Sequence, residues 1–313
     1  MIRTWVIGSG GLLGGSIKGE LIKKKQWHFT PSSPFLWNDP SALKQQLATQ
    51  IIHFFSHFDS GDQWQIIWAA GKSTMRTPES ACLQETGMLK GFLLQLTQAL
   101  QANPYAGRIG FASTAGAIYT QGQDSPISES SPTSPSTAYA RQKLAQETLL
   151  IQWASECEAC QRLIIGRFST LYGMHQDQNK RQGLISAITK CISNSEPLSL
   201  FVPLETVRDY LWSDDAAILF LWHLNQELPK NSDPIRLIAQ EESISIAAML
   251  EKFQLLTGKQ VKVIHSPELP QGVYPLEIRF QSLHPITASL FQKLSLSQGI
   301  EKILGNLPRV PIQ

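Results

Sequence analysis

The chain has 313 residues, 42% of them hydrophobic and 17% charged, so it is long enough for a large core or two lobes. A net charge of +2 gives no reason to expect nucleic acid as a partner, and no stretch is long and apolar enough to predict a membrane-spanning helix. Cys157 and Cys160 form a CxxC with no histidine nearby, so no zinc site is expected, and we predict a cytoplasmic protein with reduced cysteines.

The first predicted unit is a strand, a glycine-rich turn and a helix. Residues 3–7 predict a short strand that ends in the apolar run Trp-Val-Ile. Gly8, Gly11 and Gly14 follow at three-residue spacing, and Leu12 begins an apolar helical face. Glycines in such a turn allow a tight bend, a close approach to a pyrophosphate and close packing of the helix on the strand. The positive end of the helix also favours phosphate. This GxxGxxG spacing predicts a dinucleotide-binding turn, with a glycine turn that binds no ligand as the alternative.

The segment after this helix bears on the choice of cofactor. Residues 27–30 predict a second strand, after which dinucleotide folds carry an Asp or Glu for the ribose hydroxyls of NAD. Here the neighbourhood holds hydroxyl side chains, among them Ser32, and no carboxylate precedes Asp39. Because no charge there would repel a 2′-phosphate, the sequence leans toward NADP over NAD, although no Arg is present to bind the phosphate. No third strand is evident between residues 41 and 61.

The remaining chain alternates strands and helices. Further strands are predicted at residues 65–70, 108–112 and 162–168, and helices at 78–101, from about 138, and at 183–192. Polar loops are predicted at 121–137 and 174–180. This alternation predicts an α/β fold with a doubly wound parallel sheet.

Small and hydroxyl-bearing residues end two of these strands. Ala69, Ala70 and Gly71 end one strand, where small residues let a cofactor lie across its carboxyl end. Ser113 and Thr114 end the next strand. In a parallel sheet these strand ends meet at one edge, where ligands bind.

Tyr139 and Lys143 lie four residues apart on a predicted helix, so their side chains share one face. A phenol titrates near pH ~10 when unperturbed. A nearby ammonium and a positive nicotinamide ring would move that pKa toward neutrality, so the Tyr could exchange a proton with a hydroxyl while hydride moves. The hydroxyl of Thr114 could reach the same substrate oxygen. A surface Tyr–Lys pair without chemistry is the alternative.

Six segments together resemble the extended short-chain dehydrogenase/reductase family, in its nucleotide-sugar epimerase/dehydratase group. They are GSGGLLG at 8–14, WAAG at 68–71, FASTAGAIY at 111–119, SPSTAYARQKLAQE at 134–147, RFSTLYG at 167–173 and VRDYLWSDDAA at 207–217. The segments occur in family order and span residues 1 to about 250. The resemblance implies a Rossmann-type doubly wound parallel sheet with a smaller α/β C-terminal substrate lobe.

The resemblance also implies a domain organisation and a set of ligands. It implies an NAD(P)-binding Rossmann domain over 1–173 and mainly a substrate-binding lobe over 174–313, with segments near 205–240 returning to the Rossmann domain. The expected partners are a nucleotide sugar or another small substrate, with a homodimer as a possible assembly. The expected cofactor contacts are Gly8, Gly11, Leu12, Gly14, Ser32, Ala69, Ala70, Gly71, Tyr139 and Lys143.

Catalytic roles follow from the same resemblance. It assigns Tyr139 as the acid/base, Lys143 as the ligand of the cofactor ribose and Thr114 as the hydroxyl partner of the substrate oxygen. Ser113 is the alternative to Thr114, because this loop is one residue longer than the usual family loop.

Two further residues are expected to contact the substrate. Arg208 matches the family's Arg that binds the nucleotide phosphates; the alternative is a buried structural Arg paired with Asp209 or Asp214. Thr170 stands where the family carries a substrate-contacting Asn, which puts the usual sugar contact in doubt.

Departures from the family pattern narrow the expected chemistry. Ala115 and Gly116 replace the acidic pair of the 4,6-dehydratases, and Ala117 replaces the Cys of the GDP-fucose synthase group. His175 lies nearer to the preceding Tyr-Gly pair than that group's catalytic His. These departures favour 4-epimerisation or 4-keto reduction by hydride transfer at a sugar C4. An NADP-dependent reductase of a non-sugar carbonyl and a non-catalytic NAD(P)-binding regulator are the alternatives.

Overall fold

The computed structural model describes residues 1–119, 126–174, 183–230, 232–265 and 275–305. Parts of the loops predicted at 121–137 and 174–180 lie outside these ranges, and so does His175.

The strands and helices alternate along most of the chain. The strands are β1 (Ile2–Ile7), β2 (His28–Phe29), β3 (Gln63–Trp68), β4 (Gly107–Thr114), β5 (Cys160–Phe168), β6 (Thr170–Tyr172), β7 (Leu198–Leu200), β8 (Val207–Trp212), β9 (Ile235–Ile238), β10 (Ser243–Ser245) and β11 (Val263–His265). The helices are α1 (Leu12–Lys23), α2 (Pro40–Phe55), α3 (Glu79–Ala102), α4 (Ala138–Glu156), α5 (Leu184–Asn194), α6 (Ser213–Asn225), α7 (Ile246–Thr257) and α8 (Leu296–Gly305).

The central sheet has six parallel strands in the order β2-β1-β3-β4-β5-β9. Helices cover both faces: α1 packs against α6 on one, and α2, α3 and α4 pack in sequence on the other. The strand order reverses at β1, which leaves a crevice at the carboxyl ends of β1 and β3. This is the predicted Rossmann-type, doubly wound parallel sheet.

The segment in which the sequence shows no evident third strand contains a helix and no strand. Asp39 begins α2, because its Oδ1 accepts hydrogen bonds from the backbone N–H groups of Ser41 and Ala42, both at 3.0 Å, and Pro40 occupies the first turn. The chain therefore passes from β2 through α2 directly to β3.

Aromatic side chains fill the core between the sheet and the α2–α3 layer. Trp5 of β1 is fully buried and packs its ring against Phe54 and Phe92 at centroid distances of 5.6 and 5.9 Å. On the other face, Ile17 of α1 and Phe220 of α6 belong to a second buried cluster. These two cores fix the strand ends that carry the site.

The C-terminal third adds two small sheets, in the orders β10-β8-β6 and β11-β7. Their core includes Tyr172, Trp212, Met249 and Phe253, all buried. The chain also returns to the central sheet, since β8 runs straight into α6 and β9 is the sixth strand. Within the described residues, no helix has the length and apolar character needed to span a membrane.

Candidate active site

The glycine turn after β1 is closed by its own backbone. Gly8 has a φ of +94°, and a Cβ there would lie 2.6 Å from the backbone nitrogen of Ala70. A Cβ on Gly14 would lie 2.2 Å from the Gly8 carbonyl oxygen. That oxygen accepts the N–H of Gly11 at 3.0 Å. The turn, the start of α1 and the end of β3 therefore approach one another as closely as glycines allow.

The amino end of α1 has no side-chain cap, so its backbone N–H groups are available to an anion. Gly11 precedes Leu12, the first helical residue; no side chain caps this end, and the first turn holds no acidic residue. The positive end of the helix is therefore not neutralised by the protein. Together with the small Ala69 and Ala70, this arrangement fits a pyrophosphate and therefore a dinucleotide.

Ser32 lies just beyond β2 and is exposed, with its hydroxyl accepting a hydrogen bond from Gln50 Nε2 at 3.3 Å. The first carboxylate after β2 is Asp39, which caps α2. The carboxyl end of β2 thus has hydroxyl groups and no acid of its own.

Tyr139 and Thr114 meet at the carboxyl end of β4. Thr137 caps α4 by accepting the Ala140 N–H at 3.2 Å, which places Tyr139 in the first helical turn. The Thr114 hydroxyl lies near the Tyr139 phenol, close enough to act on its pKa. Burial raises the pKa of Tyr139 to about 12, and the Thr114 hydroxyl opposes that rise. Without a cofactor in place, desolvation of the phenol outweighs the effect of its neighbours on this pKa, so the shift toward neutrality stays a prediction for the cofactor complex.

Lys143 lies one turn further along α4 and is 7% exposed. Its Nζ donates to the Ala112 carbonyl oxygen at 3.0 Å and lies 4.7 Å from the centroid of the Phe111 ring. Burial lowers the pKa of Lys143 to about 8, and the carboxylates of Glu85 and Glu147 oppose that change. The ammonium therefore rests on β4, against Phe111 and Ala112.

Glu85 of α3 is a site residue that the sequence patterns did not signal. Its Oε1 accepts the backbone N–H groups of Lys72 and Ser73 at 2.6 and 2.8 Å, which holds the segment after β3. Its charge also raises the pKa of both Tyr139 and Lys143. Glu85 thus positions the backbone next to Gly71 and sets the electrostatics of the pair.

Ser113 belongs to a buried network beneath the site. Its Oγ donates to Glu147 Oε1 at 2.5 Å, and Arg167 donates to the two oxygens of Glu147 at 3.1 and 2.7 Å. Arg167 also donates to the hydroxyl of Tyr119. Thr114, not Ser113, is the hydroxyl brought to Tyr139. Glu147 follows Tyr139 and Lys143 at the same four-residue spacing, so the sequence could have placed it on the same face of α4 as the other two.

The two expected substrate residues lie in the small β10-β8-β6 sheet. Arg208 donates to the carbonyl oxygens of Val207 and Pro275, both at 2.7 Å. The carboxylate of Asp209 accepts instead the N–H groups of Gln240 and Glu241 at 2.8 and 2.7 Å. Thr170 is half-buried at the start of β6. Neither Arg208 nor Thr170 bonds directly to Tyr139 or Lys143 among the contacts described.

Comparison with known sequences gives the chemical setting. Residues 72–234, about half of the chain, match the family model described as the NAD dependent epimerase/dehydratase family. The chain is 30% identical over 156 residues to a dTDP-4-dehydro-6-deoxyglucose reductase of Escherichia coli, covering 50% of this chain and 48% of the relative. It is 31% identical over 119 residues to a putative UDP-glucose 4-epimerase of Methanocaldococcus jannaschii, covering 38% of each. The chain therefore spans less than half the length of either relative.

Comparison with solved structures supports the fold over nearly the whole chain. A UDP-glucose 4-epimerase of Thermotoga maritima, solved with UDP-glucose, superposes with a TM-score of 0.77 at 18% identity, covering 97% of this chain and 98% of that one. A UDP-glucose 4-epimerase of Thermus thermophilus in complex with NAD gives 0.76 at 19% identity, with coverage of 97% and 98%. RMD of Pseudomonas aeruginosa, complexed with NADPH, gives 0.74 at 18% identity, with coverage of 97% of both chains.

Proposed function

The chain belongs to the NAD dependent epimerase/dehydratase family, and on that premise we propose that it transfers hydride at C4 of a nucleotide sugar, acting as a 4-keto reductase. Tyr139, Thr114 and Lys143 form the proposed catalytic group. Ser113 is left out of that group because its hydroxyl is committed to Glu147.

The observation that carries the proposal is the placement of the Tyr139 phenol near the Thr114 hydroxyl at the carboxyl end of β4, with Lys143 one turn further along α4. Burial raises the pKa of Tyr139 to about 12, so the phenol is protonated in the protein without cofactor. Reduction of a carbonyl requires a proton donor to the oxygen, and a protonated phenol supplies it. We choose the reductive direction because the relative from Escherichia coli, which matches this chain over 156 residues, is a dTDP-4-dehydro-6-deoxyglucose reductase.

Other residues limit what the site can do. The nicotinamide cofactor, when bound at the glycine turn, supplies the hydride. Lys143 would hold the cofactor ribose, as the family resemblance implies, and Glu85 would help keep its ammonium charged. Ala115 and Gly116 carry no acid, so proton transfers at carbons five and six have no donor at the dehydratase positions.

We propose NADP as the preferred cofactor. The carboxyl end of β2 has an exposed Ser32 and no carboxylate, so nothing there repels a 2′-phosphate. The structural similarities to the NADPH complex of the Pseudomonas protein and to the NAD complex of the Thermus enzyme do not distinguish the two cofactors.

A 4-epimerase is the second candidate. The relative from Methanocaldococcus jannaschii, a putative UDP-glucose 4-epimerase, favours it. Such an enzyme would use the same Thr114, Tyr139 and Lys143 but would return the hydride to the sugar, so that cofactor would not be consumed.

One experiment separates these candidates. The protein is incubated with NADPH and a dTDP-4-keto-6-deoxy sugar, and in a parallel reaction with NAD and UDP-glucose. Reductase activity predicts steady loss of reduced-cofactor absorbance in the first reaction, whereas epimerase activity predicts a sugar isomer in the second without net change in cofactor. No turnover of either sugar, with turnover of a non-sugar ketone, would contradict the proposal.

We also propose a homodimer in the cytoplasm. The two packed helices α3 and α4 expose Leu83, Leu94 and Ile151 at 54%, 58% and 43%, which is apolar surface suited to a second copy. The four cysteines are free thiols, as expected of a reducing compartment. Light scattering on the purified protein tests the dimer: a monomeric mass would contradict it.

A further inference from the structure

The sheet edge opposite the candidate active site carries a group of cations, here called the amino-end cluster: Arg108, Arg162, Lys230 and Arg236. The three arginines lie near the amino ends of β4, β5 and β9, and Lys230 precedes β9. Arg108 is paired with Arg162 in the sheet, and Arg236 is paired with Gly166. Because residues 162 and 166 share a face of their strand, all three guanidinium groups leave the same face of the sheet.

Arg108, Arg162 and Lys230 line an open depression of about 850 Å³, whose walls also include Gln63, Asn225 and one acid, Glu227. Arg236 lies outside this lining. The volume of the depression is within the range of about 300–1,000 Å³ that is common for ligand sites. Arg108 and Thr114 are six positions apart on β4, a distance of roughly 20 Å along the strand. The depression is therefore separate from the candidate active site.

No carboxylate neutralises these four cations at close range. Within the described ranges, every ion pair under 4.0 Å involves other residues. The nearby acids are Glu227, which acts on Arg108 and Arg162, and Asp233 and Glu129, which act on Arg236. Burial lowers the pKa of Arg162, and the charges of the two other arginines lower it further, so the cations repel one another.

The hydrogen bonds that the cluster makes within the protein do not require positively charged side chains. Arg108 donates to Gln63 Oε1 at 3.0 Å and more weakly to the Leu224 carbonyl oxygen at 3.4 Å, while Arg162 donates to the Leu228 carbonyl oxygen at 2.7 Å. Neutral amides would make the same bonds without mutual repulsion. Each guanidinium also has five N–H donors, so Arg162 keeps several that have no acceptor in the described part of the protein. The positive charge of the cluster and the remaining N–H donors of Arg162 are therefore available to an anion.

We propose that the amino-end cluster binds a small phosphate-bearing anion of up to nucleotide size. Planar guanidinium groups bind phosphate oxygens through paired, charge-assisted hydrogen bonds, and a dianion would cancel the repulsion between Arg108 and Arg162. The site is one concave depression, whereas nucleic acid is bound by extended basic surfaces that follow the phosphate backbone. This binding does not depend on the proposed reductase activity.

The test is a calorimetric titration of the full chain with inorganic pyrophosphate, in the presence of saturating NADP to occupy the glycine turn. Binding to the unaltered protein is expected, and Arg162→Gln and Arg108→Gln should each raise Kd by about tenfold or more, the scale of a lost charged hydrogen bond. Lys230→Gln removes an exposed charge, whose Nζ donates to the Cys157 carbonyl oxygen at 3.4 Å, and should weaken binding several-fold. Lys90 is exposed on α3, so Lys90→Gln is the charge-matched control. This variant should bind pyrophosphate with the same Kd as the unaltered protein.

Parallel titrations identify the ligand class. ATP binding as tightly as pyrophosphate, with adenosine not binding, would support recognition of phosphate. Equal pyrophosphate affinity in Arg162→Gln, Arg108→Gln, Lys230→Gln and the unaltered protein would overturn the proposal, as would the absence of binding at millimolar pyrophosphate. Tighter binding of a short DNA duplex, lost in the same variants, would overturn the small-anion assignment.

Discussion

Replacing Glu147 by Gln should be among the most destabilising single changes beneath the site. Glu147 accepts hydrogen bonds from Ser113 and Arg167, and the Arg167 and Glu147 side chains are only 8% and 4% exposed. The amide keeps the shape of the side chain but leaves the Arg167 charge buried without its partner. Breaking a buried pair in this way costs about 3–5 kcal/mol, a large part of a typical stability of about 5–15 kcal/mol.

Urea unfolding of the purified protein measures this cost. The matched control is Glu277→Gln, because Glu277 pairs with Arg279 at the surface, where both side chains are 49% exposed. An exposed pair contributes about 0–1 kcal/mol, so the control should unfold at nearly the same urea concentration as the unaltered protein.

A second variant tests the reason for the cost. Glu147→Leu combined with Arg167→Leu removes both buried charges, so it should be more stable than Glu147→Gln alone. If Glu147→Gln costs no more than Glu277→Gln, or if the double variant is less stable than the single one, then the unpaired charge is not what matters and the reasoning is wrong.

The remaining predictions concern ligands. Gly11→Glu should fold, since Gly11 has an ordinary φ of −86° and a Cβ there meets only the Gly8 oxygen at 3.4 Å. The variant should nevertheless weaken NADP binding, because it places a carboxylate at the amino end of α1. An unchanged NADP Kd in fluorescence titrations would contradict this prediction. Dissociation constants should be lower for NADP than for NAD, and the reverse order would refute the preference. Arg208→Leu should lower kcat/KM for the nucleotide sugar without changing cofactor Kd, and equal kcat/KM would reject a phosphate contact. Because the pKa of Lys143 is about 8, the side chain loses its charge as pH rises through 8. The Kd of the cofactor should therefore rise several-fold from pH 7 to pH 9. In the Lys143→Met variant the cofactor Kd should show no such rise.

The same lowered pKa has a consequence for stability. Lys143 keeps its ordinary pKa of 10.5 when the chain is unfolded. Between about pH 8 and 10.5 the unfolded chain therefore holds a proton that the folded chain lacks, so the contribution of this group to stability increases with pH in that interval.

Local sequence patterns were sufficient to predict the first strand, glycine turn and helix, and to place Thr114 at the end of β4 and Tyr139 at the start of α4. The spacing of the glycines after the first strand has a geometric cause, which is the close approach of backbone segments in the turn. The strand pattern of β4 and the helix pattern of α4 place the last residue of β4 and the first residues of α4 at one edge of the sheet. The sequence did not reveal Glu85, because its partners are the backbone N–H groups of Lys72 and Ser73 and a backbone contact leaves no residue pattern.

Other features depend on tertiary contacts between distant segments. Ser113 and Thr114 are neighbours in sequence, yet alternation along β4 sends one to Glu147 and the other to Tyr139. In the amino-end cluster, Arg108 and Arg162 lie more than 50 positions apart in sequence, and only the strand order brings them side by side.

The central claim is that Tyr139 gives its proton to the carbonyl oxygen of a 4-keto sugar. Its most direct test is the single-turnover rate of NADPH oxidation by a dTDP-4-keto-6-deoxy sugar, comparing Tyr139→Phe with the unaltered enzyme, both saturated with cofactor. Removing only the hydroxyl should lower this rate by about 10²–10⁴-fold, the usual contribution of a general acid, while leaving NADPH Kd within a few-fold. A Tyr139→Phe enzyme that oxidises NADPH at the full rate would contradict the claim.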